Sequence, residues 1–184
     1  NEFVKQGADF LAAFLCVIIF SPIFLCIAIA ILIEGNGPII FAQKRVGRFE
    51  KVFTIYKFRT LAINSGEDQV LPNDQRMTKV GAWLRRFSFD ELPQIFNVLK
   101  GEMSFVGPRP EMLSVAEKYK KWHHLRHQVK PGITGLWQIL GRKDLPLIEN
   151  IEYDLYYIQN LSLILDFIII IKTIPLVLSR KGAY

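Results

Sequence analysis

Cysteine is scarce in this chain, with two residues in 184, and both, Cys16 and Cys26, lie in one apolar stretch. That argues against a disulfide framework and for two buried thiols. There is no glycine-rich Walker loop and no Gly-x-Gly-x-x-Gly, so any nucleotide must be held by other means. Low-complexity tracts and internal repeats are absent as well. Acidic residues are outnumbered, 17 against 23 Lys and Arg, which leaves a net charge of +6 and a pI of about 9.4. Anionic partners are therefore favoured: nucleic acid, phospholipid surfaces or phosphorylated substrates. A chain of 184 residues is long enough for one domain with its own core. It begins at Asn1 with no methionine, from which a longer protein upstream is expected.

Charge is missing altogether from Phe10 to Ile33, where nearly every residue is Leu, Ile, Phe, Val, Ala or Cys. About 20 apolar residues suffice to cross a hydrocarbon core as a helix. The run is too long for a signal peptide and no small-residue cleavage site follows it. Two readings remain open. A straight transmembrane span is one. The other is a helix broken at Ser21-Pro22, entering and leaving by the same face, because proline removes a backbone hydrogen bond and clashes with the preceding turn. Basic residues flank both ends (Lys5 before, Lys44, Arg45 and Arg48 after), which agrees with the second.

Beyond the turn cluster at Glu34–Pro38 the pattern changes. Ile39–Val46 and Val52–Thr60 are β-rich and separated by a short polar loop, the signature of a β-hairpin. Residues 62–76 read as a mobile loop. Lys79–Arg86 reads as a helix, Pro93–Lys100 as a short helix closed by Gly101, and Glu111–His127 as a longer basic one. Lys130–Gly135 reads as a turn and Leu136–Leu140 as a strand. Leu161–Leu178 is apolar but carries Asp166, Lys172 and Pro175, which favours an interfacial or core-packed helix over a second span. The expected architecture is α+β: a membrane anchor over 1–36, then a small mixed domain over 37–184 with a hairpin and several amphipathic interfacial helices.

Ser88-Phe89-Asp90-Glu91-Leu92-Pro93-Gln94 sets two carboxylates together in an otherwise basic chain. Ser-x-x-Glu is a capping box, so Ser88 and Glu91 have a purely structural reading. Pro93 argues against that register, being comfortable only at the first helical position. Asp90 and Glu91 would then precede a helix, available as nucleophile and as metal ligand or base. Arg109 stands between two prolines in Gly107-Pro108-Arg109-Pro110, which stiffens it as a phosphate clamp or simply as a surface turn. Lys57 alternates with aromatics in Tyr56-Lys57-Phe58-Arg59, on a site-facing or a solvated edge strand. His123, His124 and His127 lack the intervening glutamate of a zinc-protease helix, and read as a basic face touching lipid headgroups.

Taken in order, these segments resemble the bacterial sugar transferase family, the monotopic phosphoglycosyl transferases. The resemblance rests on Ser21-Pro22, Tyr56–Thr60, Ser88–Gln94, Phe96–Gly101, Met103–Pro110, Lys130–Leu136, Tyr153-Asp154, Asn160–Ser162 and Asp166. It implies transfer of a sugar 1-phosphate from a UDP-sugar to a polyprenyl phosphate, giving polyprenyl-diphosphate-sugar and UMP. That would be a first membrane step of surface glycan assembly, as in exopolysaccharide, lipopolysaccharide or capsule. It also implies a re-entrant anchor in the bacterial inner membrane, with the active site at the cytoplasmic face. By matching position, Asp90 would be the nucleophile of a phosphosugar–aspartate intermediate and Glu91 its partner, the two holding Mg²⁺. Lys57, Arg85 and Arg109 match substrate-phosphate positions and Asp166 an orienting one; Arg142 is a further candidate contact.

One departure is Lys5-Gln6-Gly7-Ala8-Asp9, where family members often carry Lys-Arg-x-x-Asp. The ending Lys181-Gly182-Ala183-Tyr184 resembles larger members, so a catalytic portion of a longer protein is expected. The partners implied are a UDP-sugar, a polyprenyl phosphate and membrane phospholipid; no nucleic acid is expected, and a homo-oligomer is left open. The alternatives are a non-enzymatic, membrane-anchored basic module binding anionic lipid, and one-step transfer with Asp90 only a metal ligand.

Overall fold

A computed structural model describes residues 2–35, 37–62, 74–140 and 150–178. Helix α1 (Glu2–Glu34) is continuous and carries Pro22 in its interior. Where the sequence suggested two helices meeting at Ser21-Pro22, one element runs through both. The reason is local. Proline 22 has no N–H for the Ile18 carbonyl four residues back. The Ser21 hydroxyl donates to that carbonyl instead, at 2.8 Å. By length and composition α1 suffices to cross a membrane.

The hairpin forms as the alternation predicts: β1 (Ile40–Val46) pairs antiparallel with β2 (Val52–Phe58), from Ile40 opposite Phe58 to Val46 opposite Val52. Arg48–Glu50 make a 3-10 turn at its tip, with Phe49 and Glu50 at φ 51° and 60°. α2 (Lys79–Arg86) starts at Thr78, whose side chain accepts from Gly81 N at 2.9 Å. Glu34, closing α1, accepts from the Lys79 and Val80 amides, so the end of one helix caps the start of another. α3 (Gln94–Leu99) ends where Gly101 turns left-handed at φ 75°.

The strand β3 (Ser104–Val106) runs parallel to β5 (Gly132–Thr134). Between them, β4 (Glu111–Met112) adds to the hairpin through Arg45 opposite Met112, giving the order β2-β1-β4. A short α4 (Leu113–Ala116) and a 3-10 segment (Lys121–Gln128) follow. The expected long helix over 111–127 is therefore replaced by strand, helical turn and 3-10 segment. Glu111 is held at the sheet edge, and Lys120 is extended, which re-aims the chain. Leu136–Leu140 is a helix, α5, rather than a strand; the strand is Gly132–Thr134, inside the expected turn. A short apolar run has no periodicity that separates the two. α6 (Glu152–Gln159) and α7 (Leu163–Leu178) complete the chain. Most of the loop expected at 62–76, and Arg142, lie outside the described residues.

The helix α1 lies along the domain. Ala13 packs with Phe53, Ile55, Ile95, Val98 and Met103. Ile27 and Ile31 pack with Phe58 and Leu84. A third cluster joins Val106, Leu136, Tyr157 and Ile169, so α7 closes over β3. The outward sides of α1 and α7 remain apolar and exposed, as at Phe3, Phe10, Ile33, Ile164 and Phe167. Apolar faces of that extent are the kind a membrane covers.

Candidate active site

Phe89-Asp90-Glu91 form a single 3-10 turn between α2 and α3. Ser88 ahead of it is left-handed, φ 57°, and its side chain caps nothing, so the capping-box reading is not realised. Non-glycine residues held at positive φ are uncommon and persist where the surroundings over-determine them. The turn presents its two carboxylates to the hairpin. Lys57 of β2 donates to Glu91 Oε1 at 2.7 Å, and Arg109 donates to the same atom at 3.2 Å.

Asp90 is different. It is only 8% exposed, yet no described residue hydrogen-bonds its carboxylate. Its neighbours act by charge alone. Burial pushes its pKa up, Glu91 adds to that, and Lys57, Arg85 and Arg109 pull against it. Burial also pushes Glu91 up, but Lys57 and Arg109 outweigh it and hold that carboxyl well below the usual range. The pair is thus split into one firmly ionised carboxylate and one poised carboxylate.

Arg85, in the last turn of α2, is placed by a bond from Nε to Thr60 Oγ1 at 2.9 Å. Gly81 lets α2 close on Thr60, since a Cβ there would collide with the Thr60 backbone. Arg109 is fixed through its main chain: its carbonyl accepts from Arg126 at 2.8 Å. Arg126 is 1% exposed, and its fork also reaches Asp154 Oδ2 from Nε at 2.8 Å and Tyr119 Oη at 2.7 Å. The loop bearing Arg109 is pressed against β5 at Gly107 and Gly132, where a Cβ on either would strike the other strand's backbone.

Five residues expected at one site, Lys57, Arg85, Asp90, Glu91 and Arg109, are thus gathered around the 3-10 turn. Asp166 is not among them. It lies on α7, accepting from Lys5 Nζ at 2.6 Å and from Tyr157 Oη at 2.7 Å, where it ties the start of α1 to the domain. Lys5 also pairs with Asp9 at 3.6 Å, and Asp9 accepts from Phe105 N, so the motif lacking its arginine still anchors. Ser21 and Pro22 lie mid-helix in α1, away from the carboxylates in sequence and bonded only locally.

Sequence reasoning missed the supports. Asn97 is fully buried; its amide donates to Thr54 O and to Glu102 Oε2, both at 2.7 Å, and its Oδ1 accepts from Tyr56 N. It locks β2, and with it Lys57, to α3. Arg126 with Asp154 does the same for Arg109. The signal for Asn97 and Asp154 was their place in the motifs, not their chemistry.

The sequence model of the family described as bacterial sugar transferase matches residues 1–180. The chain belongs to that family. A UDP-glucose:undecaprenyl-phosphate glucose-1-phosphate transferase of Klebsiella pneumoniae is 45% identical over 195 residues, covering 100% of this chain and 42% of that protein. A UDP-N-acetylgalactosamine-undecaprenyl-phosphate N-acetylgalactosaminephosphotransferase of Aeromonas hydrophila is 43% identical, covering 98% and 45%. The exopolysaccharide production protein ExoY of Rhizobium meliloti (strain 1021) is 37% identical, covering 98% and 88%. The chain spans less than half the length of the first two and most of the third. Family membership thus agrees with the resemblance read from the motifs.

Proposed function

We propose that this chain is the catalytic part of a phosphoglycosyl transferase, moving a sugar 1-phosphate from a UDP-sugar to undecaprenyl phosphate at a membrane. The observation that carries it is Asp90: a buried carboxylate with no hydrogen bond among the described residues, beside Glu91, whose Oε1 takes both Lys57 and Arg109, and three cations. A carboxylate meant only for structure would be paired. One left free among Lys57, Arg85 and Arg109 suits attack on phosphorus.

In the first half-reaction an Asp90 oxygen attacks the phosphorus bearing the sugar. The bond from that phosphorus to the bridging oxygen breaks, and UMP leaves with the electron pair. In the second, a phosphate oxygen of undecaprenyl phosphate attacks the same phosphorus. The acyl–phosphate bond breaks and the Asp90 carboxylate is restored. Arg109 and Lys57 lie where they offset the charge gathering on the phosphoryl oxygens. Glu91 keeps both cations in place between turnovers.

The donor set also suits Mg²⁺, which takes hard oxygen ligands from one or two carboxylates and the substrate's phosphates. Both Asp90 oxygens and Glu91 Oε2 are without a hydrogen bond among the described residues. When bound there, Mg²⁺ would neutralise diphosphate charge and favour departure of UMP.

A re-entrant anchor is supported by where the ends of α1 go. Lys5 and Asp9 bond to α7 and β3, while Glu34 caps α2 and the Ile31 carbonyl accepts from Arg59. A straight span would carry its ends to opposite faces of a hydrocarbon layer about 30 Å thick. Here both ends hold one domain, which fits an anchor set into the membrane from one side, the cytoplasmic face of the inner membrane, with α1 passing through Ser21-Pro22 as one element rather than as two helices.

The test is intact mass spectrometry of nanodisc-held protein with Mg²⁺ and a panel of UDP-sugars, without lipid phosphate. A hexose-phosphate increment with matching UMP, lost in Asp90→Asn, is expected. UMP appearing only once undecaprenyl phosphate is added would replace the covalent route by one-step transfer. No turnover by folded protein over a broad panel would leave the anionic-lipid-binding module.

A further inference from the structure

Away from the carboxylate turn, a second group of ligating side chains comes together that the proposed chemistry does not use. Glu50 stands at the hairpin tip at φ 60°, and His124 and His127 stand on the 3-10 segment Lys121–Gln128. Their donor atoms all lie within 4.8 Å of one another, with His124 Nδ1 and Glu50 Oε1 2.8 Å apart. In a 3-10 helix residues three apart eclipse one another, so 124 and 127 share a side. An α-helix would have paired 123 with 127. His123 is engaged instead with its own turn, its Nδ1 accepting from Lys120 N at 3.3 Å.

The independent sign is His127. It is only 7% exposed, and neither ring nitrogen has a hydrogen-bond partner among the described residues. Buried polar groups left without partners are rare, and an ion is one of the few things that explains them. Tyr119 stacks on His127 at 6.0 Å and meets His124 edge-on at 5.7 Å, fixing both rings.

We infer that Glu50, His124 and His127 form a site for a transition-metal dication of the Zn²⁺ class. Two imidazoles and one carboxylate, with a fourth position towards solvent, are ligands zinc commonly takes. Ligands about 2 Å from a zinc ion lie a little over 3 Å apart. The closure required is at most roughly 1.5 Å, the scale of small side-chain adjustments. Glu50 brings the one negative charge; of the nearby cations, Arg48 is paired with Glu2 and Arg126 with Asp154, which offsets the positive charge each turns on the site. Such a site clasps the hairpin tip to the segment whose Arg126 holds the Arg109 carbonyl. It is a structural clasp, distinct from any Mg²⁺ at Asp90 and Glu91.

The experiment uses tag-free, metal-stripped protein in nanodiscs, with millimolar Mg²⁺ present throughout. Co²⁺ serves as the optical probe and Zn²⁺ as competitor. One Co²⁺ per chain with imidazole-type visible bands is expected, displaced by one equivalent of Zn²⁺. Affinity should fall at least about 10-fold in His124→Gln and in Glu50→Gln, and stay unchanged in Glu91→Gln. Both substituted side chains are partly exposed, so the fold survives; His127→Gln, being buried, is not relied on. Zn²⁺ should raise the Tm of the wild type and not of either variant. No stoichiometric uptake overturns the site, as does uptake unchanged in both variants or lost only in Glu91→Gln.

Discussion

Two buried acidic centres lie on either side of the Arg109 loop. At one, Asp154 is 1% exposed and its Oδ2 takes a hydrogen bond from Arg126 Nε at 2.8 Å, with Nη2 in ion-pair contact at 2.7 Å. At the other, Asp90 is 8% exposed and accepts no hydrogen bond from any described residue. Both carboxyls are pushed up by burial and pulled down by a neighbouring cation, so their electrostatic surroundings are alike in kind. They differ in bonding. A paired carboxylate holds the chain together, because breaking it leaves an uncompensated charge. An unpaired one beside cations has spare electron pairs for a substrate. Burial therefore does not separate the structural acid from the chemical one; hydrogen-bond completeness does.

The sharpest way to break that comparison is to remove each charge in turn. Asp90→Asn should abolish turnover, by about 10⁴-fold or more, with no loss of Tm. The sign follows from the raised pKa: the fold disfavours ionised Asp90, so stability from this group is present below its unfolded pKa and lost as pH rises through the folded one. The neutral amide escapes that loss. For the same reason the Asp90 carboxyl of the metal-free protein should titrate above the ordinary aspartate range, read by carboxyl NMR, and Mg²⁺ bound there should bring it down. A large drop in Tm for Asp90→Asn, seen by thermal unfolding, would make Asp90 structural.

Asp154→Ala should do the opposite. Removing one partner of a buried pair costs about 3–5 kcal/mol, so folded yield and Tm fall, and activity falls with them. Replacing Arg126 and Asp154 together by apolar residues should recover part of the stability but not the activity, because the Arg109 carbonyl loses its donor. Full recovery of kcat in that double variant would show that Arg126 does not position Arg109.

Much of this was legible and the rest was not, for physical reasons. The hairpin, α2 and α3 follow from alternation, capping and a closing glycine, which are local signals. The five residues around the 3-10 turn stood in motifs, so the family resemblance reached them. β3 and β5 are three residues each, too short for a period, and hold because Gly107 and Gly132 let two backbones touch. Lys121–Gln128 is rich in helix formers; its 3-10 path follows from burying Arg126 against Asp154, a pairing 28 residues apart. Asp166 was drawn to the site by its motif, yet it binds Lys5 161 residues away. Long-range polar partners leave no local trace.

A smaller effect sharpens the role of the cations. Arg109→Lys keeps the charge near Glu91 but loses the planar fork. kcat/KM for the UDP-sugar should fall about 10–100-fold, with stability within about 0.5 kcal/mol of wild type. The Arg109 side chain is 39% exposed and fixed mainly through its carbonyl, so little packing is lost. A lysine variant as active as wild type would reduce Arg109 to a point charge.

The same accounting of partners reaches into α1 and gives the smallest effect. The Ser21 hydroxyl serves the Ile18 carbonyl because Pro22 cannot. Ser21→Ala leaves that carbonyl unpaired among apolar groups and should cost about 0.5–1.5 kcal/mol. In a Pro22→Ala background, residue 22 regains an N–H that donates to Ile18, so the same serine change should cost almost nothing. The double-mutant cycle, read as Tm in nanodiscs, should thus show a coupling of about 1 kcal/mol. Equal costs in both backgrounds would mean that the hydroxyl is not what carries α1 through its proline. The carbonyl would then have to be satisfied by bending, and the unbroken helix would owe its continuity to packing against the hairpin and α3 instead.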